Sequence, residues 1–221
     1  MFDGFANGQF NSIELLINLN SFGFVREACN ALGAQYVLDD PTIFDDLVEY
    51  EPTKMTASDK SVRDLNEIAG GDYWQAIIED YKAGRIDGYQ AEEYFAEQYC
   101  QRLMNSFTYV LNMPLRIKRG QRPKYRMIHA TNHRDGCLLM VDNICNRWEA
   151  WQNVQSGGQM SFFVEDPNNH TVTTEDIERY TIEHFQQCEN WTSLHDALAI
   201  FFMKYGPLCS TGSVKKVLKD L

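Results

Sequence analysis

The segment from Tyr125 to Trp148 constrains the fold most strongly, because its hydrophobic period changes partway along it. Residues 125–130, YRMIHA, form a short apolar-rich run typical of a β-strand. The polar residues TNHRDG follow. The next apolar side chains then recur at the spacing of one helix face: Cys137, Val141, Ile144, Cys145 and Trp148. Strand, polar tip and helix form the unit of an α/β fold, and ligands usually bind at such tips.

Two further apolar runs predict strands. Residues 14–20, ELLINLN, are typical of a strand buried on both faces of a parallel sheet, and residues 160–164, MSFFV, predict another strand. Helical periods cover 21–33, 59–68, 74–81 and 90–110. We therefore expect an α/β fold in which these strands form the last third of an open, mostly parallel, Rossmann-like sheet. An acidic loop and helices at 36–112 would form an insertion in it.

The C-terminal residues predict a separate helical unit. Three short helical periods, 174–188, 193–205 and 212–221, follow a polar linker. Thr173 and Asp176 have the spacing of a capping box before the first of them. A tight polar turn before the last of three short helices is the layout of a helix-turn-helix domain, and a plain helical subdomain is the alternative. The predicted domains are thus 1–166 (α/β) and 172–221 (helical, winged-helix-like).

Composition excludes several classes of protein. A net charge of -11 argues against a protein that coats nucleic acid with its whole surface, although a local basic patch can still act. No apolar run approaches the roughly 20 residues of a membrane span, and the first residues do not have the pattern of a signal peptide. The six cysteines are widely spaced, without a metal-binding pattern, so we expect reduced thiols, no metal and a cytoplasmic location.

Two basic segments are candidates for contact with nucleic acid. The first has six positive charges within eleven residues, where Leu115-x-Ile117 predicts a strand running into a turn: Arg116, Lys118, Arg119, Arg122, Lys124 and Arg126. The second is the last helix, on which Lys215, Lys216 and Lys219 face outward. These side chains could contact phosphates. The first segment could equally be a solvated edge strand or loop.

The polar tip after residue 130 contains the candidate ligand-binding residues Asn132, His133 and Asp135, with His129 just before them. Such groups suit acid–base chemistry or phosphate binding, and the start of the following helix offers free N–H groups to an anion. Alternatively, Asn132 or Asp135 simply caps the helix and His129 faces the core. No catalytic nucleophile–base pair can be assigned from the spacing.

Four segments, in this order, resemble the three-Cys-motif partner (TcmP) proteins, a bacterial and phage family. They are ELLINLNSFGFVREA, YWQAII, YCQRLMNSFTYVLNMPLR and YRMIHATNHRDGCLLMVDN, and the resemblance covers about residues 11–165. The "ATNH…G…M" core is the most specific part. The resemblance implies a class I methyltransferase-like fold. Family members usually begin with a Gly-rich nucleotide loop, which this sequence lacks, so we expect it to correspond to the C-terminal portion of a member.

The resemblance leaves three functions open. The first is a methyltransferase-like protein that acts on or with nucleic acid in a two-component system. Its S-adenosylmethionine site would then lie outside this chain, and no cofactor is expected for this chain alone. The second is a non-catalytic nucleic-acid-binding module. The third is a protein-partner module that binds a three-Cys-motif protein.

Overall fold

The computed structural model describes residues 13–37, 59–115, 125–155, 173–188 and 193–220. Within them it has three strands: β1 (Glu14–Leu19), β2 (Tyr109–Leu115) and β3 (Tyr125–Thr131). The same residues contain eight helices: α1 (Ser21–Ala31), α2 (Asp59–Ala69), α3 (Trp74–Lys82), α4 (Gly88–Leu103), α5 (Arg134–Gln155), α6 (Thr174–Gln186), α7 (Leu194–Tyr205) and α8 (Thr211–Asp220). The expected acidic loop lies largely outside the described residues, as does the expected strand 160–164.

The three strands form an antiparallel sheet in the order β1-β3-β2. His129 in the central strand lies between Leu16 of β1 and Leu111 of β2. The α/β class is confirmed, but the expected mostly parallel, Rossmann-like sheet is wrong for these strands, because both pairings are antiparallel. β1 and β2 run in the same direction, since each is antiparallel to β3. The antiparallel strand therefore lies between them, a relation that an apolar run in the sequence does not encode.

The prediction that β1 is buried on both faces is also wrong. Its side chains alternate: Leu15 and Ile17 pack against a hydrophobic core, whereas Glu14, Leu16 and Asn18 are exposed. This is the period-2 pattern of a strand with one covered face. Because Leu16 is apolar although it lies on the exposed face, the sequence of β1 does not reveal this alternation.

Helices cover both faces of β2 and β3. On one face, Val110, Ile128 and Ala130 pack with side chains of α1, α3 and α4, including Phe24, Trp74 and Phe95. On the other face, Leu111, Met113 and Met127 pack with side chains of α5 and α7: Cys137, Val141, Leu198, Phe201 and Phe202. The sheet therefore separates two hydrophobic cores, and β2 and β3 contribute to both.

The predicted and observed helix starts agree closely, for example at Trp74 for α3 and at Thr174 for α6. Asp87 and Gln90 form a capping box at α4, and Thr173 and Asp176 form the expected one at α6. The predicted end of α4 was wrong. The helix ends at Leu103, and β2 begins at Tyr109, although the helical period of the sequence continues to residue 110. Apolar residues before and after this turn continue a helical spacing by chance.

The three C-terminal helices are present, and α7 packs into a hydrophobic core. Five of its twelve residues are buried: Ala197, Leu198, Ala199, Phe201 and Phe202. From α5, the Asp142 carboxylate accepts hydrogen bonds from the Thr211 amide and hydroxyl, both at 2.8 Å, at the start of α8. These helices thus share a core with β2 and α5. The helix-turn-helix-like arrangement and the division into domains 1–166 and 172–221 stay predictions.

A buried ion pair connects the sheet to α4. Glu92, which is 2% exposed, accepts hydrogen bonds from Arg126 Nε at 2.6 Å and from a terminal guanidinium nitrogen at 2.7 Å. The buried Ser21 hydroxyl, at the start of α1, donates to the same carboxylate. In the sequence, Arg126 is the last of the six basic residues of 116–126. Its guanidinium is instead occupied by Glu92 and is not available to a phosphate.

Candidate functional site

The end of β3, the start of β1 and the first turns of α5 and α7 come together on one side of the sheet. Glu14 pairs with Thr131 in the sheet register, and α5 begins three residues after Thr131. Asp135 in the first turn of α5 contacts His195 in the first turn of α7. The polar tip predicted from the sequence therefore meets a second set of polar residues from the C-terminal helices.

Asn132 connects the polar tip to the segment before β2. Its side-chain oxygen accepts hydrogen bonds from the Thr108 amide at 2.8 Å and the Thr108 hydroxyl at 3.1 Å. Its amide nitrogen donates to the Ser106 carbonyl at 3.3 Å. These bonds hold two neighbouring loops together. These bonds explain the position of the Asn132 side chain without any role in capping α5. Capping was one of the expectations for this residue.

His133 and Asp135 lie together, and the structure adds His195 to them. One Asp135 oxygen is 3.9 Å from His133 Nδ1, and the other is 3.1 Å from His195 Nδ1. All three side chains are more than one-third exposed. Sequence reasoning missed His195, because 60 positions separate it from Asp135 and no local pattern connects them. Ligand binding by Asn132, His133 and Asp135 stays a prediction.

A neighbouring ion pair fixes the start of α7 against α5. Arg134 donates to the Asp196 carboxylate at 2.8 Å, and the Ser193 hydroxyl donates to it at 2.5 Å. The hydrogen bond from Ser193, followed by the one from Arg134, lowers the pKa of Asp196. Asp135 and Asp196 thus place negative charge in the first turns of α5 and α7, where the helix dipole favours it. The protein itself supplies the anions at these helix starts.

His129 lies beneath this polar surface. It is 1% exposed, and neither ring nitrogen has a hydrogen-bond partner among the described protein atoms. Its Nε2 is 3.9 Å from a carboxylate oxygen of the half-exposed Glu14. The same carboxylate lies against Gly136, where a Cβ atom would be 2.2 Å from Glu14 Oε1. Glycine at position 136 therefore allows Glu14 to lie over the first turn of α5. The expectation that His129 faces the core is confirmed.

Stability is expected to fall as the pH falls below about 6.5. Burial lowers the pKa values of His129 and His184 from 6.5, the latter despite a ring nitrogen 3.2 Å from the Ala197 carbonyl. The unfolded chain then takes up protons that the folded chain resists. Each imidazole can lower the free energy of unfolding by up to about 1.4 kcal/mol per pH unit. Urea unfolding between pH 8 and pH 5 measures this loss of unfolding free energy.

A His129→Leu variant separates the contribution of His129. We expect its stability at pH 8 to be close to that of the wild type, because the replaced ring nitrogens make no hydrogen bonds. Its loss of stability towards pH 5 should be smaller than that of the wild type. An unchanged pH dependence would show that His129 is already protonated or solvated in the fold.

The exposed face of β1 borders this polar surface. Leu16 is 58% exposed, with Glu14 and Asn18 on either side of it on the same face. Within the described residues β1 pairs with β3 alone, so its other edge has no strand neighbour there. An exposed leucine on an unpaired strand edge is a feature that natural proteins usually avoid.

Thiol and metal chemistry have little support in the described residues. Burial raises the pKa of Cys29, Cys100, Cys137 and Cys209 to about 12, which keeps these thiols protonated and poorly nucleophilic near neutral pH. Five of the six cysteines are buried, and Cys188 is exposed. Across the described ranges, no three His, Cys, Asp or Glu side chains are placed to hold a metal ion.

The two basic segments differ in what the structure reveals of them. Arg116, Lys118, Arg119, Arg122 and Lys124 lie outside the described residues. Lys215, Lys216 and Lys219 lie on α8, where the last two are exposed and Lys215 is partly exposed.

Among the described helices, none is long and apolar enough to cross a membrane.

Comparison of the chain with models of protein families, with curated proteins and with solved structures found no match. The resemblance to three-Cys-motif partner proteins therefore stays a prediction from the sequence segments that carry it.

Proposed function

We propose that this chain is a non-catalytic partner module of a two-component system, and that it binds a second protein through the open edge of β1. The observation that supports this proposal is a six-residue strand whose outer edge has no strand neighbour within the described residues and whose exposed face presents Leu16. On this proposal the sheet is a docking platform. β1 is held by backbone pairing with β3 and by the packing of Leu15 and Ile17 against the core on its covered face.

The chemistry of a strand edge favours one kind of partner. About half of the backbone N–H and C=O groups of an edge strand point away from the sheet, and an extended peptide can satisfy them by adding a strand. Protected edges usually carry lysine, proline or a bulge, and the β1 sequence ELLINL contains neither lysine nor proline. Leu16 adds apolar area next to these hydrogen-bonding groups.

The polar residues of the chain give more support to binding than to catalysis. Asn132, Arg134 and Asp196 bond to other parts of the protein, and His129 is too deeply buried to meet a substrate. Four buried thiols have pKa values raised to about 12. A methyltransferase-like reaction, which the TcmP resemblance predicts, would need a cofactor site supplied from outside this chain. The same resemblance identifies a three-Cys-motif protein as the partner to test.

Replacing Leu16 by lysine is expected to weaken binding of a three-Cys-motif protein at least about tenfold, which corresponds to about 1.4 kcal/mol. A lysine at this position puts a charge where the incoming strand must pack, as natural edge strands do to prevent pairing. Isothermal titration calorimetry of the purified full chain with the purified partner measures the change in Kd.

Leu139→Lys is the matched control. Leu139 is 64% exposed on α5, so this variant changes the net charge equally and leaves β1 intact. We expect its affinity to be unchanged. Equal affinities of the wild type and both variants would exclude the β1 edge as the binding site, provided that circular dichroism shows all three proteins folded.

A further inference from the structure

We propose a second interaction surface: the lysine face of α8, formed by Lys215, Lys216 and Lys219, binds the phosphate backbone of a nucleic acid. The three lysines occupy positions i, i+1 and i+4 of one helix. At 3.6 residues per turn they cover an arc of about 100°, and at 1.5 Å per residue they extend about 6 Å along the axis. The ammonium groups therefore lie on one side of the helix.

The lysine face is turned away from the core. Val214 is fully buried and Leu218 packs against the core formed by α5, α7 and β2, whereas Lys216 and Lys219 are exposed. The Asp142 carboxylate holds the first residue of α8 through two hydrogen bonds of 2.8 Å. The helix thus has a fixed orientation before any ligand binds, which lowers the entropy cost of binding.

The lysines of this face also have no carboxylate partner, in contrast to several other cationic side chains. Lys82 pairs with Glu79, Arg134 with Asp196 and Lys204 with Glu183. None of the three α8 lysines forms an ion pair with any residue in the described ranges. Their charges are therefore available to an external anion.

Charge complementarity identifies the ligand as a polyanion with closely spaced charges. Each strand of a duplex carries one phosphate per roughly 3.4 Å of axis, so a 6 Å row of lysines can neutralise two or three phosphates. The net charge of -11 does not prevent this, because at physiological salt charges farther away than roughly 8 Å are largely screened. This inference does not depend on the β1 edge, and either surface can fail its test alone.

Fluorescence anisotropy with labelled 20-base-pair DNA and RNA duplexes tests this proposal on the full chain. Three phosphate contacts predict that affinity falls about fortyfold between 50 and 200 mM salt. A triple variant, Lys215→Gln, Lys216→Gln and Lys219→Gln, should bind at least about tenfold more weakly and lose most of this salt dependence. The two duplexes distinguish DNA from RNA as the source of the phosphates.

The matched control replaces Lys60, Lys82 and Lys204 by glutamine, which lowers the net charge by the same amount elsewhere on the surface. We expect it to retain most of the affinity. Equal weakening by both triple variants would assign the effect to overall charge and overturn the proposal. Binding of a polyglutamate peptide with no binding of either duplex would overturn it in favour of an acidic protein ligand.

Discussion

Replacing Glu92 by alanine is expected to lower the free energy of unfolding by about 3–5 kcal/mol, the usual effect of removing one partner of a buried ion pair. Arg126 is 8% exposed, and both described hydrogen bonds of its guanidinium go to Glu92. Without the carboxylate it would remain buried with an uncompensated charge. Because Arg126 lies in β3 and Glu92 in α4, the loss would also loosen the contact between the sheet and the helix. Urea unfolding followed by circular dichroism measures the change.

Two variants control for other effects of this substitution. Glu93→Ala removes the adjacent carboxylate, which is exposed on α4, and should change stability by less than about 0.5 kcal/mol. The double variant Glu92→Met, Arg126→Leu removes both charges. We expect it to recover most of the lost stability, since hydrophobic replacements of buried ion pairs are often neutral or stabilising. If the double variant is no more stable than Glu92→Ala, the shapes of these side chains matter more than their charges.

The Glu92–Arg126 pair also illustrates what could not be predicted from the sequence. Arg126 lies among five other basic residues, so its local sequence indicates a solvated or phosphate-binding side chain. Its partner is 34 positions away on a helix. The Asp135–His195 contact joins residues 60 positions apart and could not be predicted for the same reason. Contacts of this kind depend on how the elements pack, and a single sequence has no local signal for them.

Local signals gave correct predictions elsewhere. The capping box of Thr173 and Asp176 located α6, and the change of period after residue 130 located β3 and α5. Strand direction was predicted wrongly, because an apolar run does not record which way its neighbour runs. The strand predicted at Leu115-x-Ile117 overlaps only the last residue of β2, because the first residues of β2 continue the helical spacing of α4. Without the rest of β2, the antiparallel order of the sheet could not be inferred.

Replacing Leu198 by alanine is expected to lower the free energy of unfolding by about 2–5 kcal/mol, the usual range for a buried leucine. Leu198 is fully buried in α7 and belongs to the core that contains Leu111 of β2 and Val141 of α5. Because this core joins the C-terminal helices to the sheet, we expect the whole described fold to lose stability together. Ile200→Ala is the matched control, since Ile200 lies on the same helix and is 52% exposed. Its effect should stay below about 1 kcal/mol.

Hydrogen exchange of the Leu198→Ala variant tests whether 172–221 is a separate domain. If the C-terminal helices and the sheet unfold as one unit, protection falls in α4 and β3 as well as in α6–α8. If 172–221 is a separate domain, protection falls in its helices alone, and α4 and β3 exchange as in the wild type. We expect the first result. β2 carries Leu111 on the face covered by α7 and Val110 on the face covered by α4. Weakening the core that contains Leu198 and Leu111 therefore removes support from a strand that also belongs to the core on the opposite face of the sheet.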